Sequence, residues 1–246
     1  MQYNMGGCPK SIYRKDTDME NIEMTVAEIV RQVIAGMESE EKSSCNGCKS
    51  PCASSSCEVP VGVSNRHIHL STADVETLFG KGYELTPFKE LSQPGQYACK
   101  ETLTIIGPSL RPIENVRVLG PVRGASQVEI SKTDSYTLKV KPPVRESGKI
   151  AGSSPITIVG PKGVVTLSEG CIIANRHIHM SLEDGARFGV KDNDYVTVDV
   201  EGTRRTRWFD VQVRVHKDFR LEMHVDTDDA NAVGIGNGCK VKIVKE

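Results

Sequence analysis

The chain has 246 residues, with 31 Lys and Arg against 32 Asp and Glu and a formal charge of -1. This is enough length for one large or two small cores, and too little net charge to hold nucleic acid generally, though a local basic pocket for an anionic ligand stays open. No apolar run is long enough to span a bilayer and Met1 to Asp18 lacks the apolar centre of a secretory signal, so a soluble, intracellular protein without membrane contact is expected.

The N-terminal extension, residues 1–58, divides in two. Val26, Ile29, Val30, Val33, Ile34 and Met37 recur at helical spacing, with Glu28, Arg31, Gln32 and Glu38 mostly opposite, and Thr25 and Glu28 make a capping-box pattern. An amphipathic helix is therefore expected within residues 20–38, on a flexible Ser-, Cys- and Gly-rich linker at 39–58. Its stripe could dock on the enzyme's own core. The linker favours insertion into a groove on a partner protein, and basic residues are too few for a membrane anchor. Four of the eight cysteines, Cys45, Cys48, Cys52 and Cys57, crowd into the linker. They have the type and crowding of a metal or iron-sulfur site, against the plainer reading of a reduced flexible linker; structural disulfides do not suit the compartment.

From Val59 onward the pattern is β-rich, with turns at Gly62, Pro94-Gly95, Gly107-Pro108, Gly120-Pro121, Gly148, Gly160-Pro161 and Gly202. Strand-like alternation runs through Tyr136 to Lys141, Tyr195 to Val200, Phe209 to Val215 and Lys240 to Val244. A mainly β fold of small barrels or sandwiches with a few short helices is expected. Cys99, Cys171 and Cys239 fall in strand-like stretches and are expected in or near the core.

The heptapeptide Asn-Arg-His-Ile-His-Leu-Ser at Asn65 to Ser71 returns at Asn175 to Ser181 with Met180 in place of Leu70, and these copies hold four of the six histidines. On a strand, side chains at i and i+2 share a face, so His67 and His69 point one way, as do His177 and His179. Two neutral imidazoles offered to one space suit zinc or another divalent transition metal, and each pair then needs a further ligand. Both copies run into a Ser-x-x-Asp helix start, Ser71 to Asp74 and Ser181 to Asp184.

Two further segments carry chemistry. In Gly120 to Ser131, Gln127, Glu129 and Ser131 alternate with Val128 and Ile130, which puts Glu129 on a polar face; spacing alone makes it an exposed, salt-bridging carboxylate. In Glu222 to Ala232, His224 leads into an acidic turn and is a candidate third ligand, with carboxylates that could orient imidazoles or cap a helix starting near Thr227. His216, followed by Lys217 and Asp218, reads as a turn residue.

Together these residues resemble the PduL-type phosphotransacylases, phosphate propanoyltransferases of bacterial microcompartments. The likeness covers roughly Val59 to the C-terminus and rests on three features in order: the two Asn-Arg-His-Ile-His copies, Gly-Pro-x-Arg with Gln-Val-Glu-Ile-Ser, and Glu-Met-His-x-Asp-Thr-Asp-x-Ala-Asn-Ala. It implies two zinc ions held by His67, His69, Glu129, His177, His179 and His224, with Arg123 contacting phosphate. Ser64, Lys89, Arg117, Leu119 and Asn231 then lie at or near coenzyme A. It also implies a pair of small β-barrels, one made of residues 59–65 with 170–246 and the other of 66–150, with 151–169 as a connection. The helix at 20–38 becomes an encapsulation peptide that meets shell or cargo proteins in a cytoplasmic microcompartment, and a homo-oligomer is compatible with the likeness.

The reaction so implied is acyl-CoA plus phosphate to acyl phosphate plus CoA, by direct transfer without a cysteine or serine nucleophile. Two other readings use the same histidines: a binuclear hydrolase of thioesters or phosphate esters, and a non-catalytic scaffold stapled by structural zinc. The acyl group, propanoyl or acetyl, has no signature in the residues.

Overall fold

The computed structural model describes residues 58–244. The helix expected at 20–38, and all of the linker except Glu58, lie outside the described residues.

Six strands close the first barrel. Strand β1 (Glu58–Ser64) runs parallel to β13 (Glu222–Asp226) and antiparallel to β14 (Lys240–Val244). Strand β10 (His177–Met180) joins β13 to β12 (Thr206–Val215), and β11 (Tyr195–Val200) links β12 back to β14. The alternation that predicts these strands is what fills the interior: Val59 and Val61, Ile178 and Met180, Val198 and Val200, Val211 and Val213, Val241 and Ile243 form one buried cluster.

A second ring closes in the same way. Strand β2 (His67–His69) lies between β5 (Pro112–Gly120) and β6 (Gln127–Glu129). Strand β6 continues to β9 (Val164–Ala174), β9 to β8 (Ser154–Val159), β8 to β4 (Tyr97–Ile106), and β4 returns to β5. Two short strands, β3 (Pro87–Glu90) and β7 (Val144–Arg145), add to β4 and β9. Ile68, Leu70, Leu103, Ile105, Val116, Val118, Ile156 and Ile158 belong to its core.

Residues 151–169, expected as a connection, thus hold all of β8 and the first half of β9. Ile156 and Ile158 need burial, and β8 supplies the partner that the β4 edge would otherwise lack, with Thr104 to Ile106 paired against Val159 to Thr157.

The expected strand at 136–141 is also corrected. Lys132–Leu138 is a helix, α2, because Ser131 and Asp134 form a reciprocal capping box and Ser135 and Leu138 bury one face, leaving Tyr136 outside. The Ser-x-x-Asp starts do cap helices: α1 (Thr72–Phe79) follows Ser71 and α3 (Leu182–Phe188) follows Ser181. A fourth helix, α4 (Thr227–Val233), follows Asp226. Cys99 and Cys171 are buried, whereas Cys239 is exposed, on the turn before β14.

The chain passes from the first barrel to the second between Ser64 and His67, and back between Ala174 and His177. Each crossing is the Asn-Arg that opens a histidine motif. Since Ile68, Leu70, Ile178 and Met180 point into the barrel interiors, the histidines between them point out of their barrels.

Candidate metal centre

Strand register assembles each histidine group. Across the antiparallel β10–β13 pair, His177 stands opposite His224 and His179 opposite Glu222; across β2–β6, His67 stands opposite Glu129 and His69 opposite Gln127. Side chains in register on paired strands share a face. The outcome is two donor groups, His177, His179 and His224 in one barrel and His67, His69 and Glu129 in the other, with the candidate ligand atoms of each within 4.8 Å of one another.

Backbone carbonyls fix two tautomers. His67 Nδ1 donates to Asn65 O at 2.8 Å and His177 Nδ1 to Asn175 O at 2.9 Å, which places the proton on Nδ1 and leaves a lone pair on Nε2. Nδ1 of His69 and of His179 is buried with no hydrogen-bond partner. Burial lowers His179 to about 2, His69 to about 3 and His177 to about 4, with the charges of neighbouring imidazoles and arginines adding to the effect. All three therefore stay neutral at ordinary pH, the form that binds a metal. His67 differs: burial lowers it, but Glu129, 3.4 Å from its Nε2, more than offsets this and the net shift is upward. Burial opposes the charge on Glu129 as well; His67, a second histidine and Ser147 hold its carboxyl far below the usual range.

Buried donor nitrogens lacking partners, neutral imidazoles, a buried carboxylate and fixed tautomers suit a divalent ion of the zinc type. A buried unpaired nitrogen is costly, and coordination is one way to satisfy it.

Both groups line one cavity of about 610 Å³ between the barrels. Arg123 reaches it from the loop after β5. Its backbone N–H donates to Leu70 O at 2.8 Å and its Nη1 to Ser147 Oγ at 3.1 Å. Ser64, Lys89 and Leu119 also line the cavity. Arg117 and Asn231 are not among the lining residues. Arg117 is drawn to the carbonyls of Cys99 and Lys100, at 2.9 and 2.8 Å, and Asn231 sits exposed on α4. His216 is on an exposed turn.

Several polar residues escaped the sequence reading. Gln127 Nε2 donates to Glu129 Oε1 at 2.6 Å and to Ser147 Oγ at 3.0 Å, so one amide braces both the carboxylate and the hydroxyl that holds Arg123. Glu222 accepts from His224 Nε2 at 2.6 Å and from Ser92 of the other barrel. The alternation Gln127-x-Glu129 and the Glu222-x-His224 spacing were signals for two of these; nothing local marked Ser147 or Ser92.

The family model described as phosphate propanoyltransferase matches residues 60–236. The chain belongs to the phosphate propanoyltransferase family. The match takes in all six donor residues, the whole second barrel, and the first barrel apart from β14 and the start of β1. A phosphate propanoyltransferase of Thermotoga maritima is 60% identical over 186 residues, 75% of this chain and 88% of the relative. One of Lachnoclostridium phytofermentans is 60% identical over 186 residues, 76% and 87% of the two chains. One of Rhodobacter capsulatus is 50% identical over 187 residues, 76% and 86%. The family makes this chain an acyltransferase, and phosphotransacylase chemistry implies coenzyme A as a substrate.

Proposed function

We propose that the chain is a zinc-dependent phosphate acyltransferase that interconverts acyl-CoA and phosphate with acyl phosphate and CoA in one cavity between its barrels. The observation that carries this reading is the meeting of two donor groups and Arg123 on that cavity. His67, His69 and Glu129 would hold one zinc ion, and His177, His179 and His224 the other. Zinc, when bound, supplies positive charge for the phosphate, the thioester oxygen or the departing thiolate.

The chain's own residues do the positioning. Arg123 offers a planar fork to phosphate, and Ser147, itself held by Gln127, fixes the direction of that fork. Phosphate is a weak nucleophile in water; fixed in a partly dry cavity it can be aimed at the acyl carbon. A phosphate oxygen forms the new C–O bond, the C–S bond breaks, and CoA leaves as its thiolate. Ser64, Lys89 and Leu119 at the cavity wall, with Arg117 and Asn231 further out, are assigned to the coenzyme. Direct transfer is supported by the thiols: Cys99 and Cys171 are buried, pushed up by that burial to about 11 and about 12, and neither lines the cavity.

Arg123→Ala tests this. It should abolish phosphate-dependent CoA release from propanoyl-CoA and acetyl-CoA while keeping the metal. Loss of metal together with activity would leave the phosphate role unsupported, and CoA release by the unaltered enzyme equally fast without phosphate would make it a hydrolase.

Residues 20–38 are assigned as an encapsulation helix for a bacterial microcompartment, on the strength of their capped apolar stripe and the linker that follows. Deleting residues up to Glu38 should spare catalysis and abolish co-purification with the shell. A truncated enzyme still found in purified shells would contradict the assignment.

A further inference from the structure

The two histidine strands invite comparison, because each has a parallel neighbour as well as an antiparallel one. Beside β10, β12 places Gln212 next to His177 and Arg214 next to His179. Beside β2, β5 places Arg117 next to His67 and, one residue further in the same register, Leu119 next to His69. The position flanking the second histidine is therefore an arginine in one barrel and a leucine in the other, and both residues line the cavity. A leucine cannot bind an anion. The arginine makes the two halves of the cavity chemically unequal.

Arg214 is partly buried, at 23% side-chain exposure. Its ion pair is long, 3.5 Å from Nη2 to Glu146 Oε1, and the other Glu146 oxygen is taken by Lys149 at 2.6 Å. The guanidinium also lies 5.8 Å from the centre of the Phe219 ring. One long contact uses little of a guanidinium's donor capacity. Glu146 follows β7 in the second barrel, so the side chain rooted in the first barrel is steadied by a residue of the other barrel. Gln212 Nε2, 3.4 Å from Glu146 Oε2, steadies the carboxylate in turn.

Arg123 enters the same cavity from the second barrel. Burial lowers its pKa, Glu129 opposes that fall, and the positive charge of Arg214 adds to it, so the two guanidiniums feel one another. Two like charges facing one cavity repel, and a multiply charged anion between them relieves the repulsion.

We propose that Arg214 is a second phosphate-binding residue, forming with Arg123 a two-guanidinium clamp on the transferring phosphate, and that Glu146 is the positioning residue for Arg214. This rests on the phosphate-transfer reading. It adds that phosphate is gripped from both barrels, on the side where Arg214, and not Leu119, flanks the histidines.

The test uses the full-length, metal-loaded enzyme and phosphate-dependent CoA release from propanoyl-CoA. Arg214→Met should raise the KM for phosphate about tenfold or more. The KM for propanoyl-CoA should stay within about twofold, the size at which no charge-assisted bond has been lost, and metal content should be unchanged. Arg214→Lys should recover part of the loss, since it keeps the charge without the fork. Thermal denaturation with added inorganic phosphate gives a reading without turnover: the concentration needed for half the stabilisation should rise in the Met variant. If that variant fails to fold or loses metal, Glu146→Gln decides, a raised KM for phosphate supporting the clamp and an unchanged one overturning it. An unaltered phosphate KM in folded Arg214→Met also overturns it. So does a rise confined to the KM for propanoyl-CoA, which would assign Arg214 to the phosphates of the coenzyme. Wild-type enzyme without phosphate-dependent activity would contradict the transfer reading itself; active wild type with an unaffected variant would contradict the clamp alone.

Discussion

Glu129 is a carboxylate at 8% exposure, a position that is costly unless partners compensate it. His67 Nε2 at 3.4 Å and Gln127 Nε2 at 2.6 Å supply that compensation within the protein. Glu129→Gln keeps the shape and removes the anion, and should cost about one of two bound ions per chain, measured by elemental analysis of the purified variant. Retention of both ions would remove Glu129 from the ligands. Its alternation with Val128 and Ile130 was legible, but its burial was not. Spacing says which face a residue is on, and only the packing of the other barrel decides whether that face meets water. Asp229 shows a different residue-scale effect. Burial raises its carboxyl to about 6 despite Arg176, and Asp226 and Asp228 add to the rise. A carboxyl that holds its proton more tightly when folded favours the folded state in acid, so this contribution is lost as pH rises from 3.8 through about 6. Asp229→Asn should therefore melt higher than wild type at pH 7.5, with the advantage shrinking as pH falls through 6. A gap independent of pH would contradict this.

At the scale of elements, local chemistry was easier to read than long-range pairing. Ser71 and Ser181 announced their helices because capping is settled within four residues. The copies nevertheless differ: Ser181 N–H turns to Asp184 Oδ2, whereas Ser71 N–H donates to Ser126 Oγ at 2.8 Å, a residue brought in from the loop before β6. Tyr136 to Lys141 misled because a short alternation yielded to the Ser131–Asp134 capping box just before it. Strands β8 and β9 were missed at 151–169 because their partners are distant in sequence. No pattern pointed to Gln93, a side chain at 2% exposure whose Nε2 donates to Arg220 O at 3.0 Å and whose Oε1 accepts from Arg220 N at 3.1 Å. This amide ties the loop after β3 in one barrel to the turn before β13 in the other. Gln93→Ala leaves two backbone groups without partners and should destabilise the protein by about 2–4 kcal/mol in urea unfolding. A change below about 0.5 kcal/mol, the size of an ordinary surface substitution, would show that the amide does not tie the barrels together.

For the whole molecule, the duplicated motif predicts two donor pairs, and the fold explains why they share a cavity. Each Asn-Arg-His-Ile-His begins where the chain crosses between barrels, at Asn65 and again at Asn175, so both histidine pairs stand at the junction. Composition and periodicity were enough for a mainly β chain with few helices. The two closed rings were expected only through the family likeness, since barrel closure depends on pairings such as β4 with β8 that alternation does not encode. With both donor groups and Arg123 on one cavity, metal loading and phosphate-dependent turnover should rise together. The direct measurement is to strip the full-length enzyme with a chelator, add zinc back in steps, and follow CoA release from propanoyl-CoA with and without phosphate. Activity should depend on phosphate and climb until about two ions per chain are bound. Full activity in metal-free enzyme, or release indifferent to phosphate, would contradict it.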